Sequence, residues 1–264
     1  MSKLYGTFQI AAKELLAYKF DVLIWGFLNP IIVAVYYFIW KAIYAYSGET
    51  VIRGFTFTAL IVYFAVMQMV NSFTWSNIDH ELANRIRDGY LSPKLMRPIS
   101  VYVYSIYKKL GELAWVLPGQ VVPVGIIAYL FFGMRIASYT SFGFFLVSSA
   151  LALMLNFTFI FILGISAFWL TKYSGMRMFR SGLMWFFTGA FVPITFFPLA
   201  LQRALDFLPF KYMMFTPIEI FLGRYGLIGM VQNVAMQVLW LAILLVCLNF
   251  AWKAGLKRFS AVGQ

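Results

Sequence analysis

Six long apolar stretches are the feature that most constrains how this chain folds. A helix rises about 1.5 Å per residue, so about 20 mostly apolar residues are needed to cross a bilayer core about 30 Å thick. The stretches are Val22–Tyr46, Gly54–Ile78, Leu110–Phe132, Thr140–Leu170, Ser181–Leu201 and Val231–Trp252. Only 11% of the 264 residues are charged, whereas a soluble domain carries roughly 25%. No alternating barrel-type pattern occurs, so the sequence predicts an all-α membrane protein with six transmembrane helices in a single domain, residues 1–264.

Lysine and arginine are distributed unevenly between the two sides that six spans define. Short loops rich in these residues stay in the cytosol. A large basic group lies between spans two and three and comprises Arg85, Arg87, Lys94, Arg97, Lys108 and Lys109. With that segment inside, both termini are cytoplasmic, which predicts a multi-pass plasma-membrane protein. The net charge of +12 then reflects topology and attraction to membrane lipids. Binding to nucleic acid is a poor interpretation, because the basic residues are scattered over separate segments.

The N-terminal residues 1–21 have one apolar face and are not a span. Apolar side chains recur at helical spacing at Leu4, Phe8, Ala11, Leu15 and Tyr18. The pattern predicts an amphipathic helix that lies in the membrane interface. Such a helix is either a simple anchor or a lever that also touches a cytosolic partner, and amphipathicity does not separate the two.

Span two carries polar side chains on an otherwise apolar helix. Gln68, Asn71 and Trp75 are spaced by three and four residues, so they share one face. Amides in a membrane seek hydrogen-bond partners, and their usual role is to join helices. A face turned toward a transported substrate is the alternative. Asn156 in span four has the same two interpretations.

The stretch between spans five and six is apolar but broken. The interrupting residues are Pro193, Pro198, Arg203, Asp206, Pro209, Lys211, Pro217, Glu219 and Arg224. No run of about 20 apolar residues fits between them, yet the stretch is too hydrophobic for a solvated loop. We predict that residues 189–230 form one or two short re-entrant helices in the outer leaflet, buried against protein. Such a lid suggests a pathway that opens outward.

The segment between spans two and three, residues 79–109, is the densest polar region of the chain. Its central part, Glu81–Ser100, reads ELANRIRDGYLSPKLMRPIS. Leu82, Ile86 and Tyr90 repeat every four residues, and Ser92–Pro93 is a favourable start for a second short helix. The pattern predicts a helical elbow that docks into a partner and passes force to both spans. An ordinary structured loop is the alternative.

The order of these features resembles that of the permease subunit of the type 2 ABC exporters. The run Gly89-Tyr-Leu-Ser-Pro-Lys-Leu-Met-Arg-Pro-Ile-Ser is similar to the elbow motif of that family, a Gly-x-Leu followed by Leu-x-(Arg/Lys)-Pro-(Ile/Leu)-Ser. The similarity of layout covers nearly the whole chain. It is greatest to the prokaryotic branch in which two different permeases are often paired. The resemblance therefore implies a prokaryotic inner-membrane protein with a second permease, identical or homologous, and it favours a heterodimer.

The resemblance also implies roles for particular residues. The elbow becomes a cytosolic coupling helix that docks on an ATPase subunit, with candidate coupling residues Arg85, Arg87, Gly89, Leu91, Leu95, Arg97 and Pro98. Spans two and five line a central path at the permease dimer interface. The candidate pathway residues are Gln68, Asn71, Trp75, Trp185 and Thr188.

The chain has no phosphate-binding loop of the form G-x-x-x-x-G-K-[ST], and no Gly-Lys pair occurs in it. We therefore expect a non-enzyme without catalytic residues, metal or cofactor, and a partner ATPase that binds ATP and Mg²⁺. The expected function is export of an amphipathic or lipid-like substrate. The alternative is a secondary transporter or a structural membrane protein without an ATPase partner. Almost no ionisable residue lies deep inside a span and no internal repeat is clear, which disfavours a secondary transporter.

Overall fold

The computed structural model describes residues 19–92, 99–170 and 172–259, and in these ranges the chain is mostly helical. The helices are α1 (Lys19–Ser47), α2 (Phe57–Thr74), α3 (Ile78–Arg87), α4 (Val101–Val116), α5 (Val122–Phe132), α6 (Tyr139–Ile165), α7 (Ser174–Phe187), α8 (Leu199–Asp206), α9 (Phe210–Met213), α10 (Phe215–Phe221) and α11 (Leu227–Leu256). This agrees with the predicted all-α fold. Residues 1–18 of the predicted interfacial helix, the predicted short helix Pro93–Met96, and Arg97 and Pro98 lie outside the described residues.

Within the described ranges, five helical segments are long and apolar enough to cross a membrane, one fewer than predicted. They are Ile24–Ser47, Phe57–Arg87, Val101–Phe132, Tyr139–Phe168 and Leu227–Leu256. The predicted fifth span, Ser181–Leu201, differs. Here α7 has 14 residues, about 21 Å at 1.5 Å per residue. The helix ends before Gly189, which has a φ of +83°, and Pro193 and Pro198 follow it.

The starts of the helices follow from local capping. Thr56 precedes α2 and its hydroxyl accepts from the Ala59 N–H at 3.3 Å. Ser100 and Ser138 cap α4 and α6 in the same way. Such caps satisfy backbone donors that have no partner within the helix. Before α2, β1 (Val51–Ile52) and β2 (Phe55–Thr56) form a short antiparallel hairpin.

The third span is longer than the sequence predicts. It begins at Val101, and α4 is joined to α5 by a π-helical turn, Leu117–Val121. Gly119 in this turn lies against Gly26 of α1, where a Cβ on Gly26 would collide with the Gly119 carbonyl oxygen. The absence of a side chain at Gly26 therefore allows close approach of α1 to this turn.

Buried side chains form separate clusters toward the two ends of the bundle. We call the end where α2 meets α3 the elbow end, and its apolar cluster the elbow cluster. The elbow cluster consists of Ile78, Leu82, Ile86, Leu91, Val101, Phe157, Ile160, Phe161 and Ile165. A larger cluster is centred on α2 and includes the hairpin residue Phe55 and α10. Because α2 contributes a nearly continuous buried stretch, it is the central helix of the bundle.

Residues 189–226 form short helices at the end opposite the elbow. Every residue of α10 is buried, and this helix packs on α6 and α2. The Tyr63 hydroxyl of α2 donates to the Gly189 carbonyl oxygen at 2.8 Å. Arg224 donates to the Gly54 carbonyl oxygen of the hairpin at 2.9 Å. Short helices thus occupy the predicted re-entrant region, and their depth in the bilayer stays a prediction.

Candidate functional site

The candidate site is the break between α2 and α3, which positions the elbow helix. Helix α2 ends at Thr74, and Trp75 adopts an extended conformation with φ −56° and ψ 134°. The chain re-enters a helix at Ile78, whose N–H donates to the Ser76 hydroxyl at 3.2 Å. A helix end leaves backbone carbonyls without intrahelical partners, and burying them unpaired is costly. The break therefore requires donors from elsewhere in the fold.

Three other helices each supply a donor to successive carbonyls of this break. The bonds are Asn156 Nδ2 to the Thr74 oxygen (3.0 Å), Lys109 Nζ to the Trp75 oxygen (2.6 Å) and Arg180 Nη1 to the Ser76 oxygen (2.9 Å). Their donors lie on α6, α4 and α7. Two of the donors are cationic, which suits the negative end of the α2 dipole. The break is thus fixed to three helices at once.

A buried ion pair continues this network into the elbow helix. Arg180 Nη1 lies 2.8 Å from Asp79 Oδ1, and these side chains are 2% and 0% exposed. The Tyr173 hydroxyl donates to Asp79 Oδ2 at 3.0 Å. Burial, reinforced by the Asp79 carboxylate, raises the pKa of the Tyr173 hydroxyl well above its ordinary value, so it stays a proton donor. Asp79 lies in the first turn of α3, where a negative charge suits the helix dipole.

The elbow helix also packs closely on α6. A Cβ on Gly164 would lie 2.8 Å from the Asp79 Cα and 3.1 Å from its carbonyl oxygen. Glycine at this position therefore lets α6 touch the backbone of α3 directly. Beneath α3, Leu82 and Leu91 are fully buried in the elbow cluster. The inner face of the elbow is consequently fixed by packing as well as by hydrogen bonds.

The outer face of α3 carries exposed charges. Glu81 pairs with Arg85 at 3.1 Å and with Lys108 of α4 at 3.4 Å. Arg87 pairs with Asp88 at 3.3 Å, and its side chain is 58% exposed. Gly89 follows with a φ of +77°, a conformation that ends helices and that glycine adopts without strain.

The candidate coupling residues therefore have different positions. Arg87 is available on the surface, whereas Arg85 is partly engaged by Glu81. Gly89 shapes the turn, and Leu91 is directed inward into the elbow cluster. Leu95 lies outside the described residues, as do Arg97 and Pro98.

The candidate pathway residues do not share one surface within the single chain. Gln68 is buried and donates to Asn29 Oδ1 of α1 at 2.8 Å. Thr188 is buried as well and donates to the Met184 carbonyl oxygen. Asn71 is half-buried, while Trp75 and Trp185 are exposed. Gln68 thus joins α2 to α1 by a hydrogen bond. Of the five candidates, only Trp75 and Trp185 expose a large part of their side chains.

Sequence reasoning did not identify Asp79, Tyr173 or Arg180 as a site. Hydropathy counts charged residues against a span, so on the sequence alone Lys109 is a topological charge, as is Arg180 just before the predicted fifth span. A usable signal was nevertheless present. Asp79 directly follows the predicted second span, and Arg180 directly precedes the predicted fifth, so the two opposite charges can meet at one end of the bundle. Among the described residues, no group of three or more His, Cys, Asp or Glu side chains could hold a metal ion.

Comparison with known families gives one match. Residues 31–263 match the family described as ABC-2 family transporter protein. That range includes the whole described structure from α2 to α11, and with it every residue of the elbow network. No curated protein matches the chain.

Proposed function

The chain belongs to the ABC-2 family of transporter proteins, as a permease subunit, and on this premise we propose that it exports its substrate using ATP hydrolysed by a separate subunit. In this proposal the ATPase binds ATP and Mg²⁺ and docks on the elbow end from the cytosol. A second permease, identical or homologous, completes the assembly. The single observation that carries the proposal is the position of the elbow helix. The break just before it is hydrogen-bonded to three other helices, and its outer face is charged.

The elbow helix has the properties that a docking element needs. Its surface presents Arg87 and, after Gly89, the exposed Tyr90. Its inner face is held by Leu82, Ile86 and the Asp79 ion pair. A rigid element with an exposed cation suits a partner with acidic groups, because complementary charges set register and association rate. In the proposal, Leu95, Arg97 and Pro98 extend this docking surface.

We assign the substrate to the amphipathic or lipid-like class. The buried ionisable residues Asp79, Lys109 and Arg180 lie at the elbow end and are engaged in ion pairs within the chain. The exposed surfaces of Trp75 and Trp185 are apolar and aromatic. Aromatic side chains bury large apolar areas and retain a polar edge, which suits a molecule of mixed polarity better than a bare ion.

A mild-detergent pull-down of the tagged chain tests the docking proposal. Wild type should recover a P-loop ATPase, identified by mass spectrometry, together with a second permease. Arg87→Glu combined with Arg97→Glu should insert normally but recover at least tenfold less ATPase, because repulsion at an interface costs more than about 1.4 kcal/mol.

Arg53→Glu is the matched control, since Arg53 is exposed in the hairpin at the opposite end. This variant should recover the ATPase as well as wild type does. Normal recovery with the Arg87 and Arg97 double variant would refute docking at the elbow. Failure of wild type to recover any ATPase would refute the ATP-driven function.

A further inference from the structure

We infer that Arg180 is the positioning residue that joins the elbow helix to α7, so that a displacement of the elbow is carried into α7. This inference rests on the proposed function for its role in transport. The link itself is a property of the permease alone and can be measured there.

The Arg180 guanidinium contacts both sides of the break between α2 and α3. Its Nη1 donates to the Ser76 carbonyl oxygen at 2.9 Å and to Asp79 Oδ1 at 2.8 Å. The same group lies over the Trp75 ring, 5.3 Å from its centroid. One planar side chain therefore holds the residues before the elbow and the first turn of the elbow helix together. A lysine ammonium lacks the planar group that lies over the Trp75 ring here.

Helix α7 depends on the Arg180 contact more than α4 and α6 depend on their own bonds to the break. Arg180 is the single buried residue among the 14 residues of α7, all of which are described. By contrast, α6 packs along α11 and α3 over much of its length and has many buried residues. Lys109 and Asn156 each give one bond to the break, from helices that are already held by packing. Arg180 is therefore the main buried attachment made from within α7, and buried Tyr173, just before the helix, adds its bond to Asp79.

The other end of α7 leads into the broken backbone. Thr188 is buried, and the next carbonyl, that of Gly189, accepts from Tyr63 of α2. Nine residues separate Arg180 from Gly189, which is about 13 Å along a helix. The α7 segment is thus joined to α2 just beyond its C-terminal end and to the elbow through Arg180 near its middle. A shift of α3 that moves Arg180 must tilt or translate α7 relative to the short helices that follow.

The buried environment makes this link stiff. Neither side chain of the ion pair is accessible to solvent, so salt screens it little. Asp79 also accepts from Tyr173, which leaves both of its oxygens partnered. A partnered buried pair resists separation because each group alone would remain charged and unpaired. Asp79 and Arg180 therefore move together, and α3 does not slide past α7 at this contact.

Hydrogen–deuterium exchange of the complete permease–ATPase complex in nanodiscs tests the inference. In wild type, adding ATP and Mg²⁺ under conditions that block hydrolysis should change the exchange of α3 and of α7. With Arg180→Met, the change in α3 should persist and the change in α7 should be lost. Arg177→Met is the matched control, because Arg177 is an exposed cation on the same helix. That variant should behave like wild type.

The same measurement on the permease alone separates this inference from the proposed function. Arg180→Met should raise the exchange rates of α7 amides by about a hundredfold or more, because a buried charge is left unpaired and local opening becomes easier. Arg177→Met should leave them unchanged, and Arg180→Lys should give an intermediate increase.

Each outcome decides one point. If Arg180→Met leaves α7 exchange as in wild type, both alone and on ATP binding, the link is overturned even where the ATPase docks normally. If the permease alone shows the Arg180 effect but no ATPase is recovered, the link stands as a structural contact. Its role in ATP-driven transport, and the proposed function, then fail. If the variant loses the ATP response in α3 as well, Arg180 acts on docking and the inference is overturned.

Discussion

At the scale of single residues, the molecule handles the end of α2 in an unusual way. Helix ends are commonly satisfied by water or by a local glycine turn. Here the Thr74, Trp75 and Ser76 carbonyls each accept from a side chain of a different helix. Two of these donors, Arg180 and Lys109, are positively charged. Asp79 Oδ1 lies 2.8 Å from Arg180 Nη1, and Glu112 Oε2 lies 3.3 Å from Lys109 Nζ, so each positive charge has a carboxylate beside it. The geometry of the elbow therefore depends on tertiary partners more than on local sequence.

The Asp79–Arg180 pair should show strong energetic coupling. Removing either partner alone leaves a buried charge unpaired, which costs about 3–5 kcal/mol, whereas removing both costs much less than the sum. We expect a double-mutant cycle of Asp79→Ala and Arg180→Ala to give a coupling energy of about 1–3 kcal/mol. Denaturant unfolding of the purified variants in detergent measures it.

The Arg87–Asp88 pair is the control for that cycle. Its N···O distance is 3.3 Å, but both side chains are largely exposed. Its coupling should lie between about 0 and 1 kcal/mol. Additive effects at Asp79 and Arg180, within about 0.5 kcal/mol, would show that the buried pair is not formed.

Glu219 should make stability depend on pH. Its carboxyl is buried in α10, and this burial raises its pKa from 4.5 to about 7, although Arg224 and Lys211 oppose the shift. The Arg224 Nε–Glu219 Oε1 distance of 3.8 Å is too long for a hydrogen bond, so the ion pair compensates only in part. The folded protein therefore binds this proton more tightly than the unfolded chain does.

The sign of the pH effect follows by linkage. Where the folded state binds more protons than the unfolded state, the free energy of unfolding falls as pH rises. We expect this decline between pH 4.5 and about 7 and a plateau above that range. Glu219→Gln should abolish that part of the decline, and Glu49→Gln, at an exposed residue, should not. Parallel stability–pH curves for wild type and Glu219→Gln would contradict the assignment.

At the scale of elements, the sequence predicts those helices whose bounds are set by composition. It does not predict bounds that are set by a tertiary contact. Span-sized apolar runs predict α1, α2, α6 and α11, because bilayer thickness alone demands them. The start of α4 at Val101 was missed, since Lys108 and Lys109 count against a span although both find partners in the fold.

The fifth predicted span is not one continuous helix over Ser181–Leu201, for a related reason. Hydropathy does not register the positive φ of Gly189, and the sequence shows the following prolines without showing where the helix stops. The sequence predicts a helical elbow within residues 79–109, and the helix Ile78–Arg87 lies at the start of that segment, while its role in coupling stays a prediction. Its attachment to α7 could not be read from spacing, because the partners are 101 residues apart.

Close packing of α6 on the elbow helix should make Gly164 intolerant of a side chain. A Cβ there would meet the Asp79 backbone at 2.8 Å, and backbone cannot rotate away. We expect Gly164→Ala to destabilise the protein by about 1–3 kcal/mol through overpacking. Gly143→Ala, on the same helix with open space around its Cβ, should be neutral or should stabilise by up to about 1 kcal/mol. Thermal unfolding in detergent compares the two. Equal effects would mean that α6 and α3 are not in contact.

At the scale of the whole molecule, the two ends are specialised differently. The elbow end has the buried Asp79–Arg180 ion pair and an exposed cation, Arg87, on α3. The opposite end has a hairpin and short helices held by Tyr63 and Arg224. Helix α2 runs between the ends and contacts both networks, through Tyr63 near one end and Thr74 at the other. A central helix with this placement is suited to carry a change from the elbow to the opposite end.

The orientation of these ends is a testable prediction. The excess of Lys and Arg near the elbow should keep that end in the cytosol. In a Cys247→Ser background, which removes the single cysteine, we expect Arg53→Cys to react with a membrane-impermeant maleimide in intact cells. Arg87→Cys should react only after permeabilisation, although its position is well exposed in the fold.

Reaction of Arg87→Cys in intact cells, at the rate seen for Arg53→Cys, would reverse the orientation. That reversal would also affect the proposed docking of the ATPase. An ATPase that uses cytosolic ATP could not touch an elbow on the outer surface, so the proposed docking at Arg87 would fail with it. The buried Asp79–Arg180 pair would be unaffected, because its geometry depends on packing within the chain and not on the side of the membrane that it faces.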